Sequence, residues 1–238
     1  MVRGRTALVT GASRGLGRAL ALAFARAGAR LVACSRDPTD MGRIGAEIRE
    51  AGADCIARAA DVTDAGAVAA LVAEAESRWG AIDVLINNAS VLGPRVPLRD
   101  HDLDDWRAAL DVNLTGAWIC CSAVLPGMRR AGRGSIINVT SSVGDEPRAD
   151  WGIYAVSKWA LEGLTWNLAL EEADRGIRVN AVNPGGMRTE MREDAYPAED
   201  PESVPAPAEV VDVFLWLASE AAAGVTGKRF EARGWKRP

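Results

Sequence analysis

The 238-residue chain predicts an α/β fold: a Rossmann-like, doubly wound parallel sheet with helices on both faces, three layers α/β/α in a single domain. Three observations point there. Short apolar segments alternate with amphipathic helical segments almost to the C-terminus, the rhythm of βα units whose strands are buried on both faces. The first apolar segment runs into a glycine-rich turn that opens a helical one. No repeat, low-complexity tract or linker divides the chain, and its length suits one substantial core.

In order, strands are expected at Arg5–Thr10, Leu31–Ser35, Asp54–Ala59, Ile82–Ile86, Ser135–Val139 and Arg178–Val182. Helices are expected at Leu16–Ala27, Met41–Ala51, Ala65–Trp79, Leu103–Arg130 with a bend at Pro126, and Ile153–Ala173. One segment breaks the rhythm: Asn183–Pro207 is rich in proline and acidic residues, and residues 184–207 are expected to form a structureless substrate lid.

Composition excludes several classes. The net charge of −4 offers no general attraction to nucleic acid or an anionic membrane, so a phosphate site has to be local. No uninterrupted apolar run reaches the roughly 18 residues of a membrane span. The N-terminus leads straight into a strand pattern without signal-peptide architecture, which predicts a cytoplasmic protein. The single histidine, His101, reads as a surface-loop residue and rules out a multi-histidine metal site. Cys34, Cys55, Cys120 and Cys121 have neither CxxC nor zinc-ligand spacing and read as reduced, packed thiols. No metal is expected.

Chemistry concentrates in two places. In Thr10-Gly11-Ala12-Ser13-Arg14-Gly15-Leu16-Gly17, glycines permit a tight turn and close approach of backbone to a pyrophosphate, which the helix N-terminus then attracts. Four residues apart on one helical face stand Tyr154 and Lys158, where an ammonium can stabilise phenolate and make a tyrosine a useful acid/base. The chain holds only two tyrosines and three lysines, so the pairing carries information.

These motifs resemble those of the short-chain dehydrogenase/reductase family from Thr10 to about Gly227, with a bacterial YciK-like subgroup most similar in the segment after Pro184. The TGxxxGxG turn, Asp61-Val62 after the third strand, Asn87-Asn88-Ala89 after the fourth, and Pro184-Gly185 with Thr189 all match its coenzyme-binding pattern. The resemblance therefore implies that Gly11, Ser13, Arg14, Gly15, Leu16, Gly17, Asp61, Val62, Asn88, Ala89, Pro184, Gly185 and Thr189 bind a nicotinamide dinucleotide. Ser90 departs from the family's glycine and is expected to alter the backbone there.

After the second strand, where NAD sites carry a carboxylate, the chain reads Ser35-Arg36. A guanidinium suits a 2′-phosphate, so Arg36, with Arg14, favours NADP(H) over NAD(H). Asp37 is the complication, being within a small turn shift of a ribose hydroxyl.

Ser141 lies thirteen residues before Tyr154 and, with Gly144, matches the family's SxxG; Ser142 is the competing choice. Asn113 matches its helix asparagine. The resemblance implies that Tyr154 exchanges a proton with a carbonyl or alcohol oxygen and that Ser141 hydrogen-bonds that oxygen. It also implies that Lys158 holds ribose hydroxyls and lowers the Tyr154 pKa, and that Asn113 supports a water-filled proton path. A small-molecule carbonyl or secondary alcohol is the implied substrate. A non-catalytic dinucleotide sensor and an epimerase or dehydratase of the same superfamily are the alternatives. Trp151 reads equally as pocket wall, core or interface. Trp159 and Trp166 share a face of a helix that, by the resemblance, meets a second copy in a homodimer or homotetramer. After Gly227 the tail leaves the family pattern.

Overall fold

The computed structural model describes residues 1–238. Seven parallel strands form one sheet in the order β3-β2-β1-β4-β5-β6-β7. They are β1 (Thr6–Thr10), β2 (Arg30–Ser35), β3 (Cys55–Ala59), β4 (Val84–Asn87), β5 (Gly134–Val139), β6 (Ile177–Asn183) and β7 (Arg229–Glu231). The chain winds outward from β1 to β3, then returns to β4 and winds the other way. A crevice opens where the order reverses, between β1 and β4, at the carboxyl ends of the strands.

Alternation along the strands sorts the core into two layers. Ala7, Val9, Leu31, Ala33 and Ile86 point to one side, against α1 (Gly15–Arg26), α2 (Pro38–Glu50) and α8 (Asp212–Leu217). Leu8, Val32, Leu85, Ile136 and Val179 point to the other, against α3 (Ala65–Trp79) and α5 (Gly116–Ala131). Each fully buried Leu, Ile or Val contributes about 1.5–3 kcal/mol, so both layers stabilise the sheet that carries the loops. Cys34, Cys120 and Cys121 are free and lie in the second layer, where burial pushes the thiols of Cys34 and Cys121 up to about 12.

Several expectations are corrected. The long fourth helix, with Pro126 inside α5, carries an interruption that its sequence does not announce: α4 (Leu103–Leu110) passes into α5 through a π-helical turn, Asp111–Thr115, centred on Asn113. The continuous stretch Leu103–Ala131 is long and apolar enough to cross a membrane by length and composition, despite its scattered polar residues. Here its apolar side, including Ile119, Cys121 and Val124, packs in the second layer of the core.

Residues 184–207 are not structureless. They contain α7 (Glu190–Ala195), which Thr189 caps by accepting from the Arg192 N–H at 3.2 Å. His101 is not a free surface residue either. Its Nε2 accepts the Ile153 N–H at 3.2 Å in the first turn of α6 (Gly152–Glu171), and a Cβ on Gly152 would lie 1.8 Å from that nitrogen. A contact 52 residues distant in sequence leaves no local signal.

The tail, despite its unusual sequence, supplies β7, paired with β6 through Ala181–Arg229 to Asn183–Glu231. Trp159 and Trp166 stand about half exposed on α6, where Leu170 is also exposed, and Trp118 is exposed on α5.

Candidate active site

A cleft of about 1100 Å³ occupies the crevice. Every residue expected to bind coenzyme or catalyse lines it, except Asn113. Its floor is made where β1 and β4 end side by side. Thr10 Oγ1 accepts from the Asn88 and Ala89 N–H groups, each at 3.0 Å, and Asn88 Nδ2 donates to the carbonyls of Thr10 at 2.9 Å and Gly11 at 3.1 Å. The glycines are sterically required. A Cβ on Gly11, whose φ is +62°, would stand 2.9 Å from Ala89 Cα, and one on Gly17 only 2.0 Å from the Gly11 carbonyl oxygen. Arg14 at the head of α1 supplies no side-chain cap, so the first-turn N–H groups face the cleft without a protein side chain to satisfy them. Bare N–H groups at a helix start are what an anion binds.

At the β2 end, Arg36 is exposed and lines the cleft. Asp37 is engaged elsewhere: its carboxylate caps α2, accepting from Thr39 N–H at 2.7 Å and Asp40 N–H at 3.1 Å, and these bonds hold its pKa below the usual carboxylate value. Arg14 is paired with Glu190, the first residue of α7, instead of standing free for a phosphate. Both members are exposed, and such a pair is worth about 0–1 kcal/mol, little enough for a bound anion to displace. Asp61 and Val62 line the cleft, the Asp61 carboxylate accepting from the Thr63 N–H and hydroxyl, both at 2.9 Å. Pro184 and Gly185 form the opposite wall, where the Gly185 N–H donates to Asn183 Oδ1 at 3.0 Å.

Tyr154, Lys158 and Ser141 meet deep in the cleft. Tyr154 and Lys158 share a face of α6, with the Lys158 ammonium 5.5 Å from the centre of the Tyr154 ring. Lys158 is buried and donates to the Val139 carbonyl at 2.9 Å. Burial lowers its pKa to about 8, with the Glu162 carboxylate opposing the shift. The expected depression of Tyr154 is not produced by the protein's own groups. Burial pushes its phenol up to about 12, and the hydroxyls of Ser141 and Ser90 only moderate the rise. Ser141, not Ser142, is the serine facing the phenol. Gly144 is the reason the turn comes so close: a Cβ there would lie 2.8 Å from Thr140 Oγ1 and 3.1 Å from Lys158 Cβ.

Asn113 lies behind this group. Its Oδ1 accepts from Ser90 Oγ at 3.0 Å and the Val91 N–H at 2.8 Å, while Nδ2 donates to the Val91 carbonyl and Ser157 Oγ, both at 2.9 Å. An amide side chain offers two donors and two acceptor positions, and all are taken by protein groups. Asn113 thus clamps the loop after β4 to α6. Ser90 adds a hydroxyl to this network, which the family's glycine could not supply.

Beyond Tyr154 the cleft is aromatic and cationic; of this lining the sequence offers only Trp151, as one of three readings. Trp151 is a wall, its ring centre 5.8 Å from that of Tyr154 and 5.9 Å from that of Tyr196. The Arg95 guanidinium stacks 4.7 Å from Trp151 and 5.1 Å from Tyr196, and donates to the Ala195 carbonyl of α7. The Arg192 guanidinium stacks 3.8 Å from the centre of the Tyr196 ring and makes a two-point pair with Glu199 at 2.6 Å.

The comparisons agree with this architecture. Residues 5–200 match the family model described as short chain dehydrogenase. The oxidoreductase YciK of Escherichia coli K12 is 33% identical over 100% of this chain and 95% of its own. A 3-oxoacyl-[acyl-carrier-protein] reductase of Synechocystis sp. PCC 6803 is 38% identical over 97% of this chain and 96% of its own. Among solved structures, a short chain dehydrogenase of Shigella flexneri 2a strain 301 complexed with NADP superposes with a TM-score of 0.92 at 32% identity, covering 98% of each chain. Sheet order, glycine turn and matched sequence together place this chain in the short-chain dehydrogenase family of oxidoreductases.

Proposed function

We propose that this chain is an NADP(H)-dependent oxidoreductase that interconverts a carbonyl and a secondary alcohol, with Tyr154 as the general acid/base. The observation that carries the reading is the meeting of Tyr154, Ser141 and Lys158 in one cleft with an uncapped helix N-terminus. The residues present suit a dinucleotide phosphate. The α1 N–H groups would hold the pyrophosphate, Arg36 the 2′-phosphate, Lys158 the ribose hydroxyls, and the Pro184–Gly185 wall with Thr189 the nicotinamide end. The Shigella relative's complex with NADP supports this choice of coenzyme. When bound, the coenzyme supplies or accepts the hydride.

The chain's own groups do the rest. Ser141 donates a hydrogen bond to the substrate oxygen as negative charge develops on it. A phenol held up near 12 is protonated at neutral pH, the form that gives a proton during reduction. Alcohol oxidation requires phenolate, so its rate is expected to rise with pH, whereas reduction stays level through neutrality. Asn113 keeps the loop and helix in register. The 184–207 segment, carrying α7 and Tyr196, covers a substrate of the small-carbonyl class. The exposed tryptophans of α5 and α6 are read as a contact between copies in a homo-oligomer.

The test is a panel of carbonyls and alcohols assayed with both coenzymes, for wild type and Tyr154→Phe. The variant is expected to bind NADPH normally and lose about 10²–10⁴-fold in kcat. Turnover retained by the phenylalanine variant would remove the assignment. NADPH binding without turnover of any compound in the wild type would favour a sensor.

A further inference from the structure

The C-terminal strand reaches the reacting groups through one side chain. Arg229 opens β7, opposite Ala181 of β6, and its guanidinium has four partners on three elements. Nε donates to Glu162 Oε1 at 3.1 Å, Nη2 to the carbonyl of Ser141 at 3.2 Å, and Nη1 to Asp145 Oδ2 at 2.9 Å. Nη1 also lies 3.0 Å from Glu231 Oε1. One planar fork therefore ties the turn that presents Ser141 to the helix that presents Lys158. A lysine, a point charge on a flexible stem, cannot reproduce that fork.

Glu162 explains why the tie matters. It stands one helical turn beyond Lys158 on α6 and is 1% exposed, and Arg229 is the cation in ion-pair contact with it. A buried carboxylate without its partner is costly, so this pair differs from the exposed pairs elsewhere on the surface. Burial raises the Glu162 carboxyl while Thr140 and Arg229 draw it back toward the ionised form. That carboxylate in turn supports the Lys158 ammonium.

We propose that Arg229 is a positioning residue for the reaction, holding the Ser141 carbonyl and the Glu162 carboxylate so that the Ser141 hydroxyl and the Lys158 ammonium keep fixed places on either side of Tyr154. The inference rests on the oxidoreductase reading above. It gives the atypical tail a role: the strand braces the acid/base group from outside the cleft.

The charged and titratable groups facing this spot are Tyr154, Lys158 and Glu162 on α6, Asp145 in the turn after β5, and Arg229 and Glu231 on β7. Removing the Arg229 cation leaves the carboxylates uncompensated, which disfavours phenolate and raises the Tyr154 titration.

The experiment compares wild type, Arg229→Gln, Arg229→Lys and the double variant Arg229→Gln/Glu162→Gln. For each, kcat, KM, the pH profile of alcohol oxidation, NADPH affinity and the thermal midpoint are measured. Arg229→Gln is expected to lose about 10–100-fold in kcat, the scale of a misplaced reacting group. Its substrate KM should stay within about threefold of wild type, since the loss is confined to the transition state. The rising limb of oxidation should move to higher pH. Arg229→Lys should bring that limb back while kcat stays low. The double variant, having no unpaired buried carboxylate, should recover the thermal midpoint without recovering kcat. Wild-type kcat and pH profile in Arg229→Gln would overturn the proposal. So would a kcat loss that the double variant fully restores, which marks a purely structural role.

If the wild type turns over no carbonyl, the oxidoreductase reading fails and Arg229 is judged separately. Tyr196→Phe leaves Tyr154 as the one tyrosine in the chain, so phenolate absorbance with NADP⁺ bound reports it directly. Arg229→Gln in that background should shift the titration upward, and an unmoved titration sinks the proposal.

Discussion

At the β1–β4 end, the cleft is walled by backbone. Gly11 and Gly17 touch main-chain atoms, Thr10 and Asn88 lace two strand ends together, and the helix α1 presents bare N–H groups. At the other end, beyond Tyr154, the wall is side chains: Arg95, Trp151 and Tyr196 come from three distant segments and meet through stacked rings and a guanidinium. The first construction admits almost no substitution at Gly11 and Gly17, because a Cβ at either would sit against main-chain atoms. The second can change side chain by side chain without disturbing the sheet.

The difference is testable at its most extreme point. In Gly17→Ala the new methyl would have to displace the Gly11 carbonyl, from which its Cβ would stand 2.0 Å. Overpacking of this kind costs about 3 kcal/mol. That strain falls on the turn proposed to bind coenzyme, so NADPH affinity is expected to fall about 100-fold in a fluorescence titration. An unchanged affinity would show that the backbone wall is softer than its geometry implies.

Arg36→Ala probes the same end where it changes from backbone to side chain. Hydrogen bonds to a charged group contribute about 1.5–3 kcal/mol, so NADPH should bind about 10–100-fold more weakly. NADH, lacking the 2′-phosphate, should be nearly unaffected. Because the Asp37 carboxylate is committed to the α2 N-terminus, no carboxylate replaces the lost guanidinium to favour NADH. Equal weakening of both coenzymes would move the phosphate contact elsewhere, with Arg14 released from Glu190 the first alternative.

The same division governs what the amino-acid sequence discloses. Backbone-built features are local: the glycine spacing of the turn, the strand–helix alternation, and the Tyr154–Lys158 interval can be read directly because sequence distance and spatial distance coincide. Asn113 was visible only through resemblance, and its π-turn was not visible at all, since an inserted residue in a helix has no compositional mark. His101, Arg95, Glu162 and Arg229 were missed for one reason. Their partners lie 52, 100 and 67 residues away, for His101 with Ile153, Arg95 with Ala195, and Glu162 with Arg229. Periodicity reports which face of an element is buried, not which charge waits there. Proline and acidic residues in 184–207 suggested a loop, yet Thr189 capping and the packing of Tyr196 against Trp151 order it.

Arg95→Ala is the smallest of these effects and bears most directly on the second wall. Arg95 is exposed, and its stacking on Trp151 and Tyr196 is worth about 0.5–1 kcal/mol per ring at such a site. Its bond to the Ala195 carbonyl links the loop after β4 to α7, so its loss is expected to free the segment proposed to cover the substrate without touching the β1–β4 end. KM for the carbonyl is expected to rise about three- to tenfold, with kcat and NADPH affinity close to wild type, the pattern of lost uniform binding. Initial-rate kinetics at saturating NADPH separate these quantities. A fall in NADPH affinity comparable to the rise in KM would mean that the two walls act as one unit, and the distinction between a fixed backbone end and an adjustable side-chain end would not hold.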